Sequence, residues 1–292
     1  MIARIICLIA GEYTIYDEKT AQILLAKPRG LFRKENTSPK VGDIVEYEAG
    51  NPYATIIKVY QRHNDFVRPP IANIDQAFII TSVCEPTLNL NLLDKMISIF
   101  EFQRIEPILI FSKMDLLDEK GLLETTKIIQ YYAQIGYQVI QTMTTNPLTI
   151  EKIKPFLQDK VSVFTGQSGV GKSSIMNLLD NQIHLETAAI SKALNRGKHT
   201  TRYTKLFMVG KGWLADTPGF GTIEFIDMDE SSLAHSFVEF FTYGKECKYN
   251  GCLHQNEPSC NVKKKILEGK ILKSRYDNYL QFLNEIKSRR KW

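Results

Sequence analysis

The chain has 292 residues, 43% hydrophobic and 24% charged, which suits two or three globular domains and excludes a disordered or fibrous protein. Five cysteines, three of them crowded into residues 247–260, do not form the spaced framework of a disulfide-built secreted protein and point toward metal. The net charge of +5 is mildly basic, and no apolar run approaches the roughly 20 residues that span a bilayer. The expectation is a soluble cytoplasmic protein with no membrane partner.

"IICLIAG" near the N-terminus is too short for a signal-peptide core and reads as a strand. From 1 to about 66, short alternating runs ("ARIICLIAGEYTIYD", "TAQILLAK", "GDIVEYEA", "YATIIKVYQR") are separated by turn residues, which predicts a small five-stranded barrel. Barrels of this oligonucleotide-binding type commonly contact RNA; the alternative is a β-domain that only packs on its neighbour. After "RPPIANIDQ" the period changes. Buried strand-like runs "AFIITSV", "PILIFS", "YQVIQT" and "VSVFTG" alternate with helical stretches, predicting a parallel sheet covered by helices over 67–225. "KLFMVGKGWLADTPG" reads as a hairpin turning at Gly210-Lys211-Gly212. Residues 226–292 are mostly helical around the cysteine cluster, with an apolar stripe at Leu272, Tyr276, Tyr279, Leu280, Leu283 and Ile286.

"GQSGVGKSS" lies between a buried strand and an apolar-periodic helix, which is the context of a phosphate loop. Gly166, Gly169 and Gly171 let the backbone of Gln167, Ser168 and Val170 curl so that its N–H groups face phosphate oxygens, the helix N-terminus adds its dipole, and Ser174 is a further nucleotide-binding candidate there. Lys172 is placed to neutralise β- and γ-phosphates, and the Ser173 hydroxyl to ligate Mg²⁺. Asp216 in "LADTPGF" ends an apolar strand, where a carboxylate holds Mg²⁺ through water while the Gly219 N–H senses a γ-phosphate. Between them "NRGKHTTRYTK" has the polar, aperiodic character of a switch loop, with Thr200 or Thr201 available to complete the magnesium shell.

Upstream, "FSKMDLL" also follows a buried strand. There Asp115 is suited to accept both the N1–H and the exocyclic amine of guanine, and the Lys113 stem to pack along base and loop. Ser112 stands where the usual guanine motif has Asn, which removes an amide contact. The base-reading segment thus precedes the phosphate loop, the reverse of an ordinary GTPase. Moving a chain break at a surface loop changes strand order in sequence and leaves spatial neighbours intact, so both motifs fit one permuted site at the carboxyl ends of the strands.

"CKYNGCLHQNEPSC" spaces Cys247, Cys252, His254 and Cys260 as C-x4-C-x-H-x5-C. Three thiolates and an imidazole complete a tetrahedral zinc shell with no position left for substrate, so the site reads as structural. Cys7 and Cys84 read as core residues. From 263 to 292 ten Lys/Arg face three acids, a basic tail suited to a polyanion or to a solvated helical face.

The order SKMD, GQSGVGKS, GKHTT, DTPG, with "KVGDIVEY", "RPPIANIDQ" and the terminal cysteines, resembles the family of ribosome small-subunit-dependent GTPase A (RsgA, also YjeQ or YloQ) over nearly the whole chain. The resemblance implies a bacterial protein with an oligonucleotide-binding-fold barrel (1–66), a circularly permuted GTPase (67–225) and a zinc-binding domain (226–292). It further implies binding of GTP and GDP with Mg²⁺, one zinc per chain, and GTP hydrolysis stimulated by the 30S subunit late in its maturation. The implied partner is thus the 30S particle with its 16S rRNA. Lys198 stands where the family has Arg, keeping the charge without the planar fork. Met143 and Thr144 occupy the second guanine loop, where the family has a Ser-Ala pair. Phe220 follows the DTPG glycine and cannot orient water; His199 in the switch is the available candidate to orient or deprotonate it, the alternative being a solvated or RNA-contacting histidine. Because DTPG joins directly to the C-terminal region, nucleotide state is expected to reposition that region on the subunit. A monomer is the simplest expectation. Two rival readings are a small-molecule kinase and an RNA-binding scaffold that uses nucleotide only as a conformational lock.

Overall fold

The computed structural model describes residues 1–33, 38–67, 69–143, 149–186, 204–216 and 224–289. In chain order the strands are β1 (Ile2–Ile9), β2 (Glu12–Asp17), β3 (Gln22–Pro28), β4 (Ile44–Glu48), β5 (Ala54–Val59), β6 (Gln76–Ser82), β7 (Glu106–Ser112), β8 (Gln138–Gln141), β9 (Val161–Thr165), β10 (Lys205–Val209) and β11 (Gly212–Asp216). The helices are α1 (Leu90–Phe102), α2 (Glu119–Gln134), α3 (Thr149–Leu157), α4 (Lys172–Glu186), α5 (Glu230–His235), α6 (Val238–Gly244), α7 (Asn261–Leu267) and α8 (Lys273–Arg289). Two compact units divide the contacts. The first holds Met1–Ala77, Pro147–Thr165 and Lys172–Gly221; the second holds Phe78–Asn146, Gly166–Gly171 and Thr222–Trp292.

In the first unit the strands run β2-β3-β5-β4-β1, and pairing of β1 with β2 closes them into a five-stranded barrel. The β3–β5 pair is parallel and the others are antiparallel. Alternation in the sequence sends Ile5, Ile15, Ala26, Val45 and Ile56 inward, where they are fully buried. The buried Asp17 carboxylate accepts the Tyr47 hydroxyl at 2.7 Å. Asp43 of "KVGDIVEY" is gripped by Arg62 through two bonds of 2.7 and 2.8 Å, which pins the barrel to the segment leaving it. The β10–β11 hairpin turns at Gly210-Lys211 as its sequence demands, and β11 lies parallel to β9.

In the second unit β6 neighbours β7, which pairs in parallel with β8. β6 is buried along its whole length, the signature of a strand covered on both faces. Asn89 caps α1 by accepting from the Leu92 N–H at 3.0 Å, and Asp118 caps α2 through the Gly121 N–H at 2.8 Å. The C-terminal helices pack around Phe237, Phe240, Tyr279, Phe282, Leu283 and Ile286. Of the expected stripe Tyr279, Leu283 and Ile286 are buried, while Leu272, Tyr276 and Leu280 are half-buried. Cys7 is buried, but Cys84 lies beyond the end of β6 and is only half-buried.

Arg275 departs from the sequence expectation. It is 1% exposed, and its guanidinium bonds Asp94 of α1 at 2.6 Å and grips Glu239 of α6. Asp94 also accepts from Tyr132 (2.6 Å) and Asn278 (2.7 Å), and Glu239 from Tyr131 (3.1 Å). Burial pushes the Asp94 carboxyl up, against the pull of Arg275, Tyr132 and Asn278. The network joins α8 to α1, α2 and α6 and removes one cation from the basic tail's solvent face.

Candidate nucleotide site and metal centre

The candidate guanine-reading segment leaves the carboxyl end of β7 inside the second unit. Ser112 is buried, and its hydroxyl donates to the Val170 carbonyl at 2.7 Å, with the Thr81 carbonyl at 3.2 Å. Lys113 takes a left-handed conformation (φ 64°) and its ammonium donates to the Glu85 carbonyl. Asp115 follows in a single 3₁₀ turn, Met114–Leu116, with its side chain on the surface. The Met114 N–H donates to Thr142 O at 3.1 Å, and the Thr142 N–H to Phe111 O at 2.9 Å. These bonds bring the segment after β8, where Met143 is exposed, to the Ser112–Asp115 segment.

The glycine loop Gly166–Gly171 belongs to the same unit. Gly166 has φ 141°, and a Cβ there would lie 2.1 Å from the Ile80 carbonyl oxygen, so only glycine fits. Val170 is buried, whereas Gln167, Ser168 and Gly169 face solvent. α4 starts directly after the loop with Lys172, Ser173 and Ser174, the two serines exposed. Burial draws the Lys172 ammonium below the ordinary lysine value, a strain that an adjacent phosphate would relieve. Asp216 is the last residue of β11, opposite Lys205. Its side chain, together with Thr144, His199, Thr200, Thr201 and Gly219, lies outside the described residues.

The four candidate metal ligands converge between α6 and α7. Ligand atoms of Cys247, Cys252, His254 and Cys260 all lie within 4.8 Å of one another. Sγ of Cys247 is 3.8 Å from Sγ of Cys260, and Nδ1 of His254 is 3.7 and 3.4 Å from those sulfurs. A tetrahedral ion with zinc bond lengths requires about 3.8 Å between sulfurs and about 3.6 Å between sulfur and nitrogen. The donor set and its spacing are therefore compatible with zinc. Burial pushes the Cys252 thiol up to about 12 and raises Cys260, while burial lowers His254. Three thiolates can share this space only beside a cation.

Sequence reasoning passed over the groups that shape this ligand loop. The Glu257 carboxylate accepts from the Leu253 and Gln255 N–H groups, both at 2.8 Å, and the Asn261 N–H points at Cys247 Sγ, 3.3 Å away. Tyr276 and Tyr279 donate their hydroxyls to His254 O (2.8 Å) and Leu253 O (2.6 Å). Such outer contacts orient the ligands. A Glu inside the C-x-H-x5-C span was the available signal. The loop carrying Glu85 contributes a backbone carbonyl and leaves no side-chain signature.

Two sequence-family models match, RsgA N-terminal domain over residues 3–57 and RsgA GTPase over residues 59–226. The chain belongs to the RsgA GTPase family. Among curated RsgA relatives, it is 44% identical over 288 residues to small ribosomal subunit biogenesis GTPase RsgA 2 of Oceanobacillus iheyensis, covering 98% of each chain. It is 43% identical, with the same coverage, to a Bacillus cereus protein named small ribosomal subunit biogenesis GTPase RsgA. The crystal structure of YloQ, a circularly permuted GTPase, superposes with TM-score 0.85 at 35% identity, covering 99% of this chain and 95% of YloQ. YjeQ from Thermotoga maritima gives TM-score 0.85 at 31% identity, with 98% of both chains covered. The RsgA fold here is thus a circularly permuted GTPase joined to a barrel and a helical cysteine-rich region, and the chain is a GTP hydrolase.

Proposed function

We propose that this chain acts in maturation of the small ribosomal subunit, hydrolysing GTP when it meets the 30S particle. The observation that carries the nucleotide site is the 2.7 Å bond from Ser112 to Val170, because it joins the base-reading segment to the phosphate loop. Guanine is read by Asp115, with Lys113 supporting the loop and Met143 and Thr144 closing the second guanine loop. The triphosphate rests on the Gly166–Gly171 backbone and Lys172. Mg²⁺, which screens phosphate charge, is held by Ser173 and Thr201, with Asp216 acting through water. Gly219 senses the γ-phosphate, Thr200 belongs to the same switch, and His199 orients or deprotonates the attacking water. One structural zinc is held by Cys247, Cys252, His254 and Cys260.

The proposal divides the labour among residues 1–66, 67–225 and 226–292: rRNA contact, GTP turnover, and a zinc-held second RNA contact. Supporting the last are exposed Phe241 and Tyr249 with Lys245 and Lys248 over their rings at 4.9 and 5.6 Å. Lys27 lies similarly over Tyr53 of the barrel at 3.8 Å. Aromatic faces beside cations suit unpaired bases and phosphates. Among the described residues, no helix is long and apolar enough to cross a membrane. The scaffold alternative is not favoured, since the relatives are named GTPases.

The test is GTP hydrolysis with and without purified 30S particles. Turnover is expected to be slow alone and strongly stimulated by 30S. His199→Ala should keep nucleotide binding and lose roughly 10²- to 10³-fold of the stimulated rate. Equal rates with and without 30S contradict the proposal, and unchanged stimulation in the variant removes His199 from it.

A further inference from the structure

A residue other than glycine stays in a left-handed turn only where its surroundings hold it there. A metal-bound imidazole, for its part, is ordinarily aimed by an acceptor on its other ring nitrogen. His254 occupies such a turn and lacks such an acceptor. Its φ is 59°, it is 4% exposed, and Nδ1 is the nitrogen that faces Cys247 and Cys260. Among the described residues no hydrogen bond reaches Nε2. That edge of the ring lies where a Cβ on Gly244 would come within 3.4 Å, and the ring stands edge-on to Phe240 at 5.9 Å. The peptides on either side are held instead. The single carboxylate of Glu257 takes the Leu253 and the Gln255 N–H, each at 2.8 Å, and so bridges across His254. From α8, Tyr279 and Tyr276 fasten the Leu253 and His254 carbonyls.

We infer that Glu257 is a positioning residue of the metal centre: by clasping the N–H groups that flank His254, it fixes the left-handed turn that aims Nδ1 at the ion. The carboxylate offers one oxygen to each N–H. An amide in its place offers a single oxygen and turns its own donors toward the second N–H. The tyrosine hydroxyls tie the loop to α8, whereas the Glu257 clasp lies inside the loop, between His254 and Cys260, and sets the turn itself. With the clasp in place the metal meets an imidazole already aimed. Without it, binding must also order the turn, and affinity falls by that cost. The inference deepens the proposed zinc centre and rests on it.

The experiment measures zinc affinity of the wild-type chain, Glu257→Gln and Glu257→Ala by competition with a chelator, with melting in excess zinc to establish that each is folded. Histidine-ring ¹⁵N spectra of the zinc-saturated chains report whether His254 Nδ1 is metal-bound. Glu257→Gln, which keeps one acceptor, should bind zinc about tenfold more weakly, and Glu257→Ala about 100-fold more weakly. In both, the His254 Nδ1 signal should shift or broaden as the ring exchanges between bound and free. Undiminished zinc affinity in the variants overturns the inference. Weakened affinity beside a wild-type His254 signal also overturns it, since that marks a general loss of stability. Glu257→Gln alone decides if the alanine chain does not fold. If the wild-type chain itself takes up no zinc, the metal proposal fails, an outcome distinct from these.

Discussion

Lys172→Ala is expected to lower GTP hydrolysis by on the order of 10²- to 10³-fold, the usual loss when one fixed donor to developing charge is removed. Burial already draws this ammonium below the ordinary lysine value, so its charge is held at a cost that adjacent phosphates would offset. A pH dependence follows. The nucleotide-bound lysine has the higher pKa, so the affinity it supplies is complete below the free-state value and is lost as pH rises through the bound one. In the wild type GDP affinity should therefore begin to fall on the alkaline side below the usual lysine range. In Lys172→Ala that alkaline limb should disappear. Isothermal titration across pH checks both, and an unaltered limb in the variant would assign it to another group.

Cys252→Ser is expected to have the second largest effect, on folding of the C-terminal region. Structural zinc supplies roughly 10–16 kcal/mol of apparent binding energy in small zinc-folded peptides at neutral pH, as much as a typical domain's whole net stability of about 5–15 kcal/mol. Metal analysis of the purified wild type should give near one zinc per chain, and Cys252→Ser far less. The melting transition of the region around Phe240 and Tyr279 should fall by tens of degrees or vanish, because the ligand loop is bonded to Tyr276 and Tyr279 of α8. Substoichiometric metal in freshly purified wild type, or unchanged melting in the variant, would contradict a structural zinc.

The last helix is tied to α1 and α6 by charge. Arg275, Asp94 and Glu239 form a buried, hydrogen-bonded ionic cluster, and Lys95 of α1 adds a 3.1 Å pair with Glu285 of α8. Breaking a buried pair typically costs about 3–5 kcal/mol. A nucleotide-driven shift of α8 is therefore expected to carry α1 with it, and α1 begins directly after the Glu85 loop that holds Lys113.

The sequence made the architecture legible where local chemistry was repetitive or dense. Alternation gave the barrel, the buried runs gave β6 to β9, and four ligand-type residues within fourteen positions marked the metal centre. The reversed motif order was readable because each motif carries its own strand and turn context. Arg275 was misjudged for a physical reason: a cation within a basic run reads as solvated, and nothing nearby in sequence names its partners, which lie 181 and 36 residues away. Asp94 within the mainly apolar stretch "LLDKMISIF" was the available hint. The role of Ser112 was hidden because its partner is a backbone carbonyl 58 residues later, and backbone acceptors leave no trace in side-chain identity.

The central claim is that the segment at Asp115 reads the base of a nucleotide whose phosphates lie on the loop ending at Lys172. An Asp carboxylate accepts both the N1–H and the 2-amino group of guanine, whereas an Asn amide accepts from N1–H and donates to the 2-oxo group of xanthine. The most direct measurement is the relative affinity of Asp115→Asn for xanthosine diphosphate and GDP. The account predicts that the preference reverses, by on the order of 10²- to 10⁴-fold relative to wild type. A variant that still prefers GDP, as tightly as the wild type does, contradicts it.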